Sequence, residues 1–202
     1  MRELDIKRLL IQKLTEEESI NSLASEFPFD FGQRRADLVS ISNNEVSGYE
    51  IKSYFDKLTN LPAQLSSYLS IFDYVYVVCD ERHLSKVREI APPKVGIYVC
   101  RDRNIICKRK AKKNNKLNSL VLLDAIPTPS LRKLFNVSAK SKLELCQVIS
   151  QSSKIEKIRE SFLTHLQQKY SVQTKLFQRD ASNLVTLDDI HSLFSAAPNT
   201  LE

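Results

Sequence analysis

The chain has 202 residues, 42% hydrophobic and 27% charged, with a net charge of +6 and a pI near 9.1. That length allows one large domain or a domain with an appendage, and the apolar share suffices for a core. Three glycines, with neither G-x-G-x-x-G nor G-x-x-x-x-G-K-[ST], exclude a glycine-rich phosphate loop, while the positive balance is compatible with a polyanionic partner.

Leu4, Ile6, Leu9, Leu10 and Leu14, with Ile11, recur at helical spacing and predict an amphipathic helix over 2–14. The charged opening Met1-Arg2-Glu3-Leu4-Asp5 contains no signal-peptide apolar region. No apolar stretch reaches membrane-spanning length, so the expected setting is cytoplasmic. Residues 15–19 read as a polar connection. Leu23–Phe31 carries Pro28 and reads as an edge strand, because proline cannot donate to a ladder. Phe27, Phe29 and Phe31 alternate as core residues do. Residues 35–42 and 46–52 read as a hairpin around Ser42-Asn43-Asn44-Glu45.

Leu58–Phe72 has helical spacing, interrupted or started near Pro62. Tyr74–Cys79 is a continuous β-branched and aromatic run, which suits a strand buried on both faces. His83–Ile90 is a short helix stopped by Pro92-Pro93. Val95–Cys100 and Asn104–Lys108 form a second hairpin around Arg101-Asp102-Arg103. Residues 101–116 hold eight cations against Asp102, a local +7, so the rest of the chain sums to −1. Helices follow near 118–125, 129–136, 141–151 and 154–170. The tail from 171 has weak periodicity, with a short helix at 187–194 and a frayed end over 196–202. The four cysteines, Cys79, Cys100, Cys107 and Cys146, include no C-x2-C pair and so do not support a zinc ribbon.

This order predicts an α/β fold: a mixed sheet flanked by helices over 1–116, a helical subdomain over 117–171, and a tail over 172–202. Within the first hairpin, Asp37 and the Glu50-Ile51-Lys52 triplet put charge where apolar strands should have none. Such charge is costly unless paired or bound to a metal. Glu50 and Lys52 share a strand face, and pairing through the turn brings Asp37 nearly opposite Glu50. Both carboxylates can then reach one Mg²⁺ (or Mn²⁺), with the Ile51 carbonyl as a further ligand and Lys52 beside it. The competing reading is a cross-strand ion pair on a solvated face.

The pattern D-x12-E-x-K, with Gln64-Leu65-Ser66-Ser67-Tyr68 on the next helix, resembles the PD-(D/E)XK nuclease superfamily. Arg35-Ala36-Asp37-Leu38, Gly48-Tyr49-Glu50-Ile51-Lys52-Ser53, Leu61-Pro62-Ala63-Gln64 and Phe72-Asp73-Tyr74-Val75 further resemble a branch of small bacterial and mobile-element proteins. The resemblance implies a restriction-endonuclease-like fold and a metal-dependent nuclease acting on DNA. It makes Asp37, Glu50, Lys52, Gln64 and Tyr68 catalytic, and Asp37, Glu50 and Ile51 metal-binding. It also implies an upstream acidic ligand, for which Glu26 is the first candidate and Glu3 and Glu16–Glu18 weaker ones. Ala36 stands where the superfamily often has proline. Gln64 and Tyr68 share a helix face, and equally fit a buried hydroxyl satisfied by an amide.

Arg34, Arg35, Lys108, Arg109, Lys110, Lys112 and Lys113 are candidate nucleic-acid contacts. For the basic run a solvated loop is the competing reading, and Arg35 can equally pair with Glu26. The same site could serve an RNase. The third reading is a nucleic-acid-binding or protein-interaction module without turnover, with the helical part as a surface for a second copy or a partner.

Overall fold

The computed structural model describes residues 1–17, 19–180 and 185. In chain order the elements are α1 (Glu3–Glu17), β1 (Ile20–Phe29), β2 (Arg34–Ser42), β3 (Glu45–Lys52), α2 (Leu61–Tyr68), β4 (Tyr74–Asp80), a 3₁₀ turn (Glu81–His83) and α3 (Leu84–Ile90). β5 (Gly96–Arg101), β6 (Asn104–Arg109), α4 (Ser119–Asp124), α5 (Thr128–Phe135), α6 (Lys142–Ser152) and α7 (Ile155–Asp180) follow. The six strands form one sheet in sequential order. β1, β2 and β3 are antiparallel, β3, β4 and β5 parallel, and β6 returns antiparallel to β5. This is the expected mixed α/β architecture, with a helical C-terminal portion.

Local chemistry explains both hairpins. Asn43 and Asn44 both have positive φ (51° and 60°), between the paired residues Ser42 and Glu45. Two left-handed residues make the turn whose twist matches that of the strands, and asparagine tolerates that region. Asp102 and Arg103 repeat the arrangement between Arg101 and Asn104. Gly48 is required by packing: a Cβ there would lie 2.2 Å from the Phe72 ring.

Each face of the sheet buries its own core. Ile6, Leu10, Ile11 and Leu14 of α1 pack against Leu23, Leu38, Tyr49, Ile51 and Val78. The opposite face carries Ala24, Phe27, Phe29, Val39, Val77 and Val99 against α2, α3 and the helices from α4 to α7. The final helix runs past the predicted end at 170 to Asp180, through the point where periodicity weakens. It lies along β1, where the Thr174 hydroxyl accepts the Leu23 N–H at 2.8 Å and Gln178 donates to the Ile20 carbonyl at 3.2 Å. An otherwise open strand edge is thereby covered. The expected helix at 187–194, the frayed end, and Glu18 lie outside the described residues.

Candidate functional site

The ladder between β2 and β3 ends at Leu38 and Tyr49, one rung before Asp37 would face Glu50. There the strands part, and Asp37 Oδ2 accepts the Ile51 N–H at 2.6 Å in place of a backbone carbonyl. On the other side, Glu26 occupies the β1 position between Ser25↔Leu38 and Phe27↔Ala36, opposite Asp37. Glu26 has φ 53°. Its left-handed backbone breaks the side-chain alternation: Ala24, Phe27 and Phe29 all join one core, and Leu23 the other. Strain of this kind persists only where surrounding structure over-determines it.

The result is a convergence of acids. One carboxylate oxygen from each of Glu3, Glu26 and Asp37 lies within 4.8 Å of the others. Three carboxylates so placed can hold a divalent cation. Glu50 is not one of the three. Its Oε1 accepts from Lys52 Nζ at 2.7 Å, in an ion pair that is almost wholly buried. Lys7, also buried, reaches Glu26 at 2.6 Å and Glu3 at 3.6 Å. Four carboxylates therefore surround two buried ammonium groups, and the excess charge falls on Asp37. Burial, and then the charge of Glu50, push the Asp37 carboxyl up to about 8.

Among the described residues, buried Glu50 Oε2 and Gln64 Oε1 have no hydrogen-bond partner. Unsatisfied buried acceptors are rare and call for a ligand or a cost elsewhere. Tyr68 is fully buried. Its hydroxyl accepts the Asp37 N–H at 3.2 Å and donates to the Tyr49 carbonyl at 3.4 Å. Burial, then Glu50 and Asp37, raise its pKa well above the ordinary tyrosine value. Arg34 is half-buried, while exposed Arg35 stands 4.0 Å from Glu26 Oε2. The structure thus gathers Asp37, Glu26 and weaker candidate Glu3 into one cluster, with Glu50, Lys52 and Tyr68 adjoining it.

The basic run divides. Arg109 Nε donates to the Val95 carbonyl, and its Nη2 to those of Ala91 and Pro92, so the guanidinium clamps the α3–β5 connection. Lys113 pairs with Glu45 at 2.6 Å. Lys108, Lys110 and Lys112 are exposed. Asn114 is buried and donates to the Leu69 and Phe72 carbonyls, which anchors the segment to the core. Lys7, outside the residues that the sequence motifs single out, lies on the apolar face of α1, one turn from Ile11. An ammonium inside such a stripe is the signal that a buried acid stands opposite.

Residues 1–194 match the family described as bacteriophage P4 protein cII. The chain belongs to that family. It is 27% identical to protein cII of Enterobacteria phage P4 over 188 residues, covering 88% of this chain and 71% of the relative. It is also similar to the solved structure of a protein of unknown function from Silicibacter pomeroyi, at 13% identity and a TM-score of 0.46, covering 90% of this chain and 97% of that one. Membership of the cII family overturns the expected place in the PD-(D/E)XK superfamily. The nuclease and phosphodiester-hydrolase reading falls with it. The physical reason is the brevity of the motif. Three charged positions in a chain that is 27% charged recur by chance, and a match over most of the chain outweighs them. Among the described residues, no helix is long and apolar enough to cross a membrane.

Proposed function

We propose that this chain is a non-catalytic nucleic-acid-binding module. In it, Glu3, Glu26 and Asp37 hold a divalent cation, Mg²⁺ or Mn²⁺, that meets a backbone phosphate, with DNA favoured over RNA. The observation that carries this reading is the meeting of three carboxylates within 4.8 Å beside a buried, already paired Glu50. So much negative charge needs a cation or a proton, and hard oxygen donors suit Mg²⁺ and Mn²⁺. A bound cation neutralises the cluster and leaves positions open to a phosphate oxygen. Lys52 Nζ, paired with the Glu50 whose charge reaches Asp37, has further donors to steady that phosphate. The net charge of +6 supports a polyanionic partner.

The test is fluorescence anisotropy with labelled DNA and RNA in Mg²⁺, in Mn²⁺ and in EDTA, with gels of the recovered nucleic acid. Binding is expected with either cation, weakened at least about tenfold by EDTA or by Asp37→Asn, with the nucleic acid intact. Equal binding in EDTA defeats the cation role, and no binding under any condition defeats the module itself. Shortening of the strand that depends on cation and on Asp37 defeats the non-catalytic part.

A second reading, a protein-interaction surface, is favoured by Val172 and Leu176, which are exposed one turn apart on α7. Sedimentation velocity of the wild type against Val172→Asp distinguishes it by loss of a dimer.

A further inference from the structure

We propose that Tyr54, Phe55 and Arg82 form a stacking platform for unpaired bases, so that the nucleic acid taken up beside it is single-stranded where it crosses the loop after β3. The inference rests on the nucleic-acid reading above and adds the kind of strand and the residues that choose it.

The loop begins directly after Lys52, at the C-terminal ends of the parallel strands, where open α/β sheets commonly receive ligands. It carries the most exposed of the large apolar side chains among the described residues, Phe55 at 74%, beside Tyr54 at 46%. The rings meet edge to face, with centroids 5.2 Å apart at 77°. The Arg82 guanidinium lies 4.3 Å from the Tyr54 ring centroid. Together they offer two flat aromatic surfaces and a planar cation, the elements on which bases stack.

The loop is held in place. Asp56 Oδ2 accepts from both the Ser53 N–H (2.7 Å) and the Ser53 hydroxyl (2.5 Å). The Tyr54 N–H donates to the Met1 carbonyl at 3.2 Å, and buried His83 Nε2 lies 3.0 Å from the Ser53 carbonyl. A segment pinned at this many points does not display two aromatic rings through looseness. Presenting them pre-ordered lowers the entropic cost of a partner that stacks on them.

Charge selects the partner. Each nearby acid is already engaged: Asp56 with Ser53, Asp80 with the Met1 amino group, and Glu81 with Arg101. Arg82 makes no ion pair among the described residues, and Lys57 is exposed. A pair of rings with one guanidinium against it is too small for a stable protein interface, but it fits one or two bases and their phosphates. In a duplex the base faces are covered by neighbouring bases, so only an unpaired strand offers them.

The test uses the full chain with Mg²⁺, an unstructured labelled oligothymidylate and a duplex of equal length. Phe55→Ala is expected to weaken single-strand binding about tenfold, the scale of one lost stacked base, and leave duplex binding unchanged. Phe55→Leu is expected to fall nearly as far, because it keeps apolar bulk but loses the flat face. Arg82→Gln gives a smaller loss on the single strand. The inference is overturned if Phe55→Ala binds the single strand as wild type does, or loses both forms equally. It is also overturned if the wild type sediments as a dimer that Phe55→Ala dissociates. If nucleic acid still binds with Mg²⁺ while Phe55→Ala is neutral, only the platform fails. If nothing binds, the function proposed above fails with it. Phe55 is exposed, so unchanged melting of the variant checks that the fold is intact.

Discussion

At Asp37 the carboxylate does what a backbone carbonyl does elsewhere in the ladder: it accepts the Ile51 N–H, one rung past the last β2–β3 pair. That role fixes the side chain in a crowded, negative corner, and burial with Glu50 raises its pKa from 3.8 to about 8. Between those values the unfolded chain binds fewer protons than the folded one. Stability of the metal-free protein therefore falls as pH rises through this window, and the full penalty is reached above about 8. Asp37→Asn removes the penalty and keeps an acceptor for Ile51. In EDTA, its melting temperature should exceed that of the wild type by a margin that widens from pH 4 to pH 8. Parallel melting curves across that range would show that Asp37 is already ionised in the fold. With Mn²⁺ above pH 8 the wild type should regain stability and the variant should not, because the cation replaces the proton. The charge anomaly at Asp37 and Glu50 was legible in the sequence as a break in apolar strands. The approach of Glu3 to within 4.8 Å of Asp37 and Glu26, beside the Glu50–Lys52 pair, was not. It depends on how α1 crosses the sheet, and on the left-handed Glu26, which no period-2 pattern encodes.

Elements whose faces meet one constant environment were legible in the sequence, and those that change environment were not. β4 lies between two parallel neighbours and reads as an unbroken apolar run, and the Asn43-Asn44 turn carries its own backbone preference. The predicted and observed spans agree closely there. α7 was cut short at 170 because beyond that point it follows the edge of β1, where Thr174 and Gln178 serve it with polar contacts instead of an apolar stripe. The attachment of this helix to the sheet depends on Asp73, which is buried and accepts Arg159 Nε at 2.8 Å and Nη2 at 2.7 Å as well as the Val46 N–H at 2.8 Å. Arg159 also reaches the Asn44 carbonyl at 2.9 Å, so one fork ties α7 to the β2–β3 turn. Asp73→Ala strands a buried N–H and a half-buried guanidinium together, and should cost about 3 kcal/mol in urea unfolding. Asp73→Asn, which can still accept from Val46, should cost less. Equal losses would mean that the charge carries the whole effect and the retained Val46 hydrogen bond adds nothing to it.

For the whole molecule, a local motif and a match over nearly the entire chain gave different answers. The α/β architecture was legible because every element contributes to it, whereas the family was not legible in three charged positions. Charge distribution is the other property of that scale. The segment at 101–116 holds +7 of a chain whose remainder is slightly negative, yet its cations differ in what they do. Arg109 is committed to three backbone carbonyls and Lys113 to Glu45. Lys108, Lys110 and Lys112, in contrast, are exposed on and just beyond the edge strand β6. Lysines on such an edge have one established use without any ligand, which is to discourage pairing with another chain. Counterion release separates the two uses. Each phosphate contact on duplex DNA contributes about 0.9 to the slope of log affinity against log salt. Replacing Lys108, Lys110 and Lys112 together by glutamine should flatten that slope by up to about 2.7, with little change in melting temperature. Arg109→Gln should do the reverse, lowering the melting temperature through loss of its carbonyl clamp and leaving the slope as it was. An unchanged slope in the triple variant, with new self-association at high concentration, would assign these lysines to guarding the sheet edge and confine nucleic-acid contact to the end of the sheet where Asp37 and Lys52 lie.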